Sequence, residues 1–174
     1  GRAAAAAGDA VGGGSAAGGG SATGGGVGVI DGGPRTANPR VFVTSLQTTG
    51  DLQGLTGVPN PTLAGDAVCV SAALDAGLGG RWMVLLGSNN LPFQRLDEAA
   101  PYTLVGTTTT VFRTAQGLSA PPEVPFSRNE FGVQVQNSPV WSGTDFVGTG
   151  DGVDCSDWTS ASMTRLGSIG WSSD

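Results

Sequence analysis

The first 33 residues hold 14 Gly and 9 Ala and no aromatic residue. Burying such a stretch removes too little apolar surface from water to offset the entropy of ordering it. The sequence therefore divides into a disordered Gly/Ala/Ser-rich tether, residues 1–39, and one domain, residues 40–174. The second part has the size of an ordinary domain. On this reading the tether is dispensable for folding.

Within the domain, Arg40-Val-Phe-Val-Thr-Ser45 is β-branched and aromatic and reads as a strand. Glycines 50, 54 and 57 mark a loop. Asn60-Pro61 supplies an N-cap and a first-turn proline, so a helix is expected over roughly 61–76. Leu63, Ala67, Val70 and Leu74 fall on one face of it at spacings of four, three and four. Arg81–Leu86 is a continuous apolar run expected as a buried strand. Tyr102–Val105 and Thr107–Arg113 form a hairpin or one bent strand, and residues 117–128, with three prolines, form a long loop. Gly132–Gln136 alternates as a half-exposed strand, Pro139–Thr144 carries an aromatic anchor, and no final apolar strand is expected.

The chain carries 14 acidic residues against 8 basic ones, a net charge of −6, and has no His. All the basic residues are Arg, scattered singly. No basic stripe exists to neutralise phosphates, which argues against nucleic acid and heparin-type polyanions. No run approaches the roughly 18–20 apolar residues of a membrane span. Without His or Lys the usual bases for nucleophilic catalysis are missing. Carboxylate pairs such as Asp97-Glu98 or Glu123/Glu130 read as surface charges rather than glycosidase acids. The Gly24–Gly28 stretch lacks the Lys and preceding strand of a phosphate loop. No enzyme activity, cofactor or metal is expected. Cys69 and Cys155 lie far apart and read either as a disulfide or as two buried thiols.

Asp145, Asp151, Asp154 and Asp157 cluster in a Gly-rich stretch ending at Trp158. As a calcium site the set lacks EF-hand spacing, and turn formation is the simpler reading. Trp82 and Trp141 sit in apolar runs and read as core, while Trp158 and Trp171 have polar neighbours. Asp145, Asp151, Asp154, Asp157 and Trp158, with the 117–128 loop, form the expected binding surface, because recognition concentrates on loops and on exposed aromatics. Its acidity predicts a basic patch on the partner and association weakened by salt.

The ordered set Val41-Phe-Val-Thr-Ser45, Ala64-Gly-Asp-Ala-Val-Cys69, Ala76–Trp82, Val84–Ser88, Val140-Trp-Ser-Gly-Thr-Asp145 and Cys155-Ser-Asp-Trp158 resembles the bacterial endostatin-like outer-membrane lipoprotein family over about residues 40–174. The resemblance implies a mixed α+β fold of C-type-lectin-like, endostatin-like kind, with one main helix on an irregular, mostly antiparallel sheet. It also implies a non-catalytic extracellular or surface-anchored module that binds a protein or matrix ligand. Membrane contact is then expected only through an N-terminal lipid anchor, and the molecule is expected as a monomer. In the family each of the two matching cysteines pairs with one in a closing C-terminal hairpin. This chain ends before that hairpin, so truncation is expected, with Cys69 and Cys155 not bonded to each other and strand 40–45 lacking a neighbour. The zinc ligands, basic face and calcium tripeptides of related domains have no counterpart. The alternatives are a carbohydrate-binding accessory domain or carbohydrate-active enzyme of the cell envelope, and a structural envelope component.

Overall fold

In the computed structural model, the structure describes residues 5–9, 39–87, 95–96, 101–114, 120–143, 153–162, 164–165 and 167–172. They form a mixed α+β domain. A five-stranded sheet has the order β3 (Trp82–Val84), β1 (Ala5–Asp9), β2 (Pro39–Val43), β4 (Tyr102–Leu104) and β5 (Thr110–Phe112). Only the β2–β4 contact is parallel; the other neighbours run antiparallel. A second, two-stranded antiparallel sheet joins β6 (Pro139–Trp141) to β7 (Ile169–Trp171). Helix α1 spans Leu52–Thr56 and helix α2 Pro61–Asp75.

The tether reading fails at residues 5–9. Strand β1 lies inside the sheet, with Ala7 opposite both Val41 and Met83. Composition missed it because Ala and Gly are poor strand formers on their own. The neighbours supply the reason for small residues there. Gly8 is in register with both Arg40 and Trp82, and the Arg40 guanidinium carbon lies 5.5 Å from the centre of the Trp82 ring. Two large side chains from flanking strands meet across the position that has none. Burial lowers the pKa of Arg40. The expectation that strand 40–45 lacks a neighbour is overturned as well, since β1 and β4 flank it. The remaining tether positions, 1–4 and 10–38, lie outside the described residues.

The pleat sends alternate side chains to opposite faces. Phe42, Trp82 and Val84 join a core with α2, Cys155 and Trp158. Val41, Met83 and Leu85 join a second core with Leu96, Tyr102, Leu104, Val111 and Phe112. Both sheet faces are thus covered. The open edges are also managed. Asp66 on α2 accepts a hydrogen bond from the backbone N–H of Val84 at 2.8 Å and pairs with Arg95. At the far edge the N–H of Glu123 donates to the carbonyl of Val111 at 2.8 Å.

Helix α2 forms where its caps place it: Asn60 accepts from the N–H of Leu63 at 3.0 Å, and Pro61 opens the first turn. Its buried face differs from the expected one. Ala64, Gly65, Val68, Cys69, Ala72 and Ala73 meet the sheet. Leu63 and Leu74 are 55% and 69% exposed, and Val70 is exposed beside them. The reason is distance. A Cβ on Gly65 would lie 2.7 Å from Val84 Cγ1, so the helix approaches β3 too closely for leucines to fit between. Helix α1 replaces the loop expected near residues 50–57, capped by Asp51 through the N–H of Gly54 at 2.7 Å. Gly132–Gln136 is not a strand, whereas β7 supplies a late strand that the sequence did not announce. No helix among the described residues is long and apolar enough to cross a membrane.

A candidate binding site at the 127–135 hairpin

Residues Ser127–Val135 fold into a tight hairpin. The N–H of Val135 donates to Ser127 O at 2.8 Å, and that of Asn129 to Val133 O at 2.9 Å. Asn129 Oδ1 accepts from the N–H groups of Phe131 and Val133, at 3.1 and 2.9 Å. Arg128 Nη1 donates to the carbonyl of Gly132 at 2.8 Å. The tip is therefore held by side chains of its own hairpin as well as by its ladder.

Two anchors fix the hairpin to the sheet. The N–H of Val43 donates to Arg128 O at 2.8 Å, extending β2. Glu130, 3% exposed, accepts from the N–H of Ser45 at 2.8 Å and from its hydroxyl. Gly132 packs against the turn after β4: a Cβ there would lie 3.8 Å from Val105 O and 3.9 Å from Gly106 Cα. On this support Phe131 and Val133 stand 58% and 59% exposed. Leu46, which follows the anchored Ser45, is exposed as well. The sequence reading missed this tip because the alternation of Val133 and Val135 imitates a strand. Asn129 with Gly132 three residues later was the available signal, the pattern of a tight turn.

Of the acidic surface expected from sequence, the structure describes Asp154, Asp157 and Trp158. Asp145 and Asp151 lie outside the described residues. Asp154 and Asp157 belong to a short turn in which the N–H of Asp157 donates to Asp154 Oδ1 at 2.9 Å. This turn, Cys155–Trp158, is left-handed, with φ of 53, 60, 59 and 58°. Such a conformation costs an L-residue roughly 1–2 kcal/mol. It persists because both ends are bolted: Asp154 bridges to Gly167 and Thr159 to Asp51. Trp158 is not an exposed hot spot but core, at 1% exposure. Its Nε1 donates to Gly87 O at 2.9 Å, and its ring meets Trp141 edge-on with centroids 6.0 Å apart. Trp82 is buried and Trp141 partly so; the side chain of Trp171 lies outside the description. In the 117–128 loop, Pro121, Pro122 and Pro125 are exposed, while Val124 and Phe126 pack on the second core.

Cys69 and Cys155 are free, buried thiols with no disulfide between them, so the disulfide reading of the pair does not hold here. Both belong to the helix-side core. A Cβ on Gly50 would fall on the Cys155 sulfur, and one on Gly167 would lie 2.6 Å from it. Burial pushes the Cys69 thiol well up, with Asp66 adding to it, and pushes up Cys155, with Asp154 adding. Thiols held neutral this way are poor nucleophiles and metal ligands. Native protein is expected to resist Ellman's reagent at pH 8 and to react fully once unfolded. The same shift links stability to pH. The native state keeps its thiol protons while an unfolded cysteine loses one near pH 8.5. Stability is therefore fully present below about pH 8.5 and falls as pH rises above it. Urea midpoints at pH 7 and 9.5, with Cys69→Ala as the variant that lessens the slope, check this.

Two of the four carboxylates considered for catalysis have partners in the structure. Glu130 holds Ser45, and Glu123 pairs with Arg113 at 2.9 Å on the surface. Asp97 and Glu98 lie outside the described residues. Among the described residues no three of Cys, Asp and Glu gather to hold a metal ion. No protein-family model, curated protein or solved structure matches the chain.

Proposed function

We propose that this chain is a non-catalytic recognition module, extracellular or surface-anchored, that binds a protein or matrix ligand through the 129–133 tip. The observation that carries the reading is the pair Phe131 and Val133, held in solvent by Asn129 and by the anchor of the buried Glu130 to Ser45. Single exposed apolar side chains are ordinary, whereas apolar side chains grouped on one rigid tip mark an interaction site more often. Fixing their backbone in advance lowers the entropy lost on binding, which favours a preformed contact. Phenylalanine and arginine are also both enriched in protein interfaces relative to the rest of the surface. The exposed stripe on α2 is aliphatic and lacks both. Within Ser127–Ser138 the one acidic side chain, Glu130, is buried, so the surface of that segment offers apolar, amide and Arg128 groups.

The finer fold, C-type-lectin-like and endostatin-like, belongs to the same proposal. It is supported by the element order: an apolar strand, a cysteine-bearing helix, a short buried strand and a late buried Cys155–Trp158 turn. Tethering to a membrane by a lipid anchor rests on the resemblance alone.

The test presents the protein to arrayed laminin, fibronectin and collagen beside a glycan array. Binding to at least one matrix protein is expected. Phe131→Ala with Val133→Ser is expected to weaken it by 10-fold or more, since truncating a hot spot removes about 2 kcal/mol. Raising salt from 50 to 500 mM is expected to change it little, because the contact is apolar. Glycan binding insensitive to the double variant would favour the carbohydrate-binding alternative and overturn this one.

A further inference from the structure

Strand β1 occupies a slot between β2 and β3 and pairs with both. The slot has to be filled. Val41, Phe42 and Val43 on one side and Trp82, Met83 and Val84 on the other are buried, so their facing main-chain groups would otherwise be cut off from water without partners. The sequence that fills it, Ala-Ala-Ala-Gly-Asp, brings little side-chain area of its own. Main-chain pairing holds it, and a second copy offers the same main chain in the same register.

The connection sets the balance. Asp9 and Pro39 are register partners, and residues 10–38 join them. Closing a loop costs more entropy as it lengthens, so a long connection lowers the advantage of the intramolecular strand over one from another molecule. Extended at about 3.3 Å per residue, residues 10–38 could span at most about 95 Å, ample to reach a neighbouring domain.

We infer that the slot accepts β1 from a second copy of this chain, giving a strand-exchanged dimer in which two copies trade residues 5–9. Reciprocal exchange fills both slots, so association closes at the dimer; one-way exchange leaves one slot empty at the end of the assembly. The contact is isologous, and each domain keeps the pairing of Ala7 with Val41 and Met83. The intramolecular strand competes at an effective concentration of about a millimolar. Monomer therefore prevails at micromolar protein and the exchanged dimer near the millimolar range.

The deciding experiment uses the full chain. Copies carrying Ala7→Cys and copies carrying Met83→Cys are mixed, opened in mild denaturant and refolded together. Neither variant can form the 7–83 disulfide within one copy. A mixed dimer whose disulfide maps to positions 7 and 83, and not to the native Cys69 or Cys155, is expected, several-fold more abundant at about 1 mM than at about 10 µM. A free peptide of residues 1–10 is expected to suppress it. Absence of the mixed dimer at the higher concentration overturns the inference, and so does a dimer that the peptide leaves unchanged. A second variant, with residues 10–38 deleted, joins Asp9 directly to Pro39. A hairpin needs at least about two loop residues. The strand can then enter only another copy, and light scattering is expected to give twice the chain mass. A folded monomer would count against the inference.

Discussion

Deleting residues 1–9 is expected to abolish the cooperative thermal transition or lower its midpoint by 10 °C or more. The segment reads as tether from composition, yet in the fold it pairs five residues with β2 and three with β3. Each main-chain hydrogen bond contributes roughly 0.5–1.5 kcal/mol net, and each buried partner left unsatisfied costs about 1–3 kcal/mol. The sum is comparable with the 5–15 kcal/mol of stability typical of a whole domain. Gly8→Val should reproduce much of the loss, since it places a branched side chain where Arg40 meets Trp82. Calorimetry of both variants checks this. A midpoint within 2 °C of the parent protein would return residues 1–9 to the status of a tether.

Replacing Trp158 by Ala is expected to cost about 3–5 kcal/mol, the range for large-to-small changes of a buried aromatic. Three contacts are lost together. The indole fills the core between α2 and the left-handed turn, meets Trp141 edge-on, and donates to Gly87 O. Neighbouring backbone leaves little room for collapse: a Cβ on Gly143 would lie 2.6 Å from the indole Cζ2. Trp158→Phe keeps most of the ring but leaves the Gly87 carbonyl without its donor, and should cost about 1–3 kcal/mol. Urea unfolding separates the two variants. Were Trp158 an exposed binding residue, both would unfold like the parent protein.

What the sequence disclosed depended on how local the cause was. Asn60-Pro61 capped α2 where expected, because capping involves neighbours in the chain. The apolar runs at β2 and β3 were legible for the same reason, and the antiparallel pair of β4 and β5 was one of the two arrangements expected there. The buried face of α2 was not. Leucine spacing pointed to Leu63, Val70 and Leu74, while the closeness of Val84, a tertiary fact, selected the small-residue face. Strand β1 was hidden likewise: nothing in Ala-Ala-Ala-Gly-Asp signals a strand until β2 and β3 stand on either side. At the candidate site the aromatic signal was misassigned. Trp158 looked exposed among Asp and Ser, yet the left-handed turn rotates it into the core. Phe131, beside Glu130 and Asn129, drew no notice because its exposure follows from Glu130 turning inward to Ser45.

The functional reading rests on a tip that is ordered before any ligand arrives. Backbone ¹⁵N relaxation of Phe131–Val133 in the free protein measures that property without knowledge of the ligand. Order parameters near 0.85, as for the strands of the sheet, are predicted; values below about 0.6 would mark a flexible loop and contradict the account.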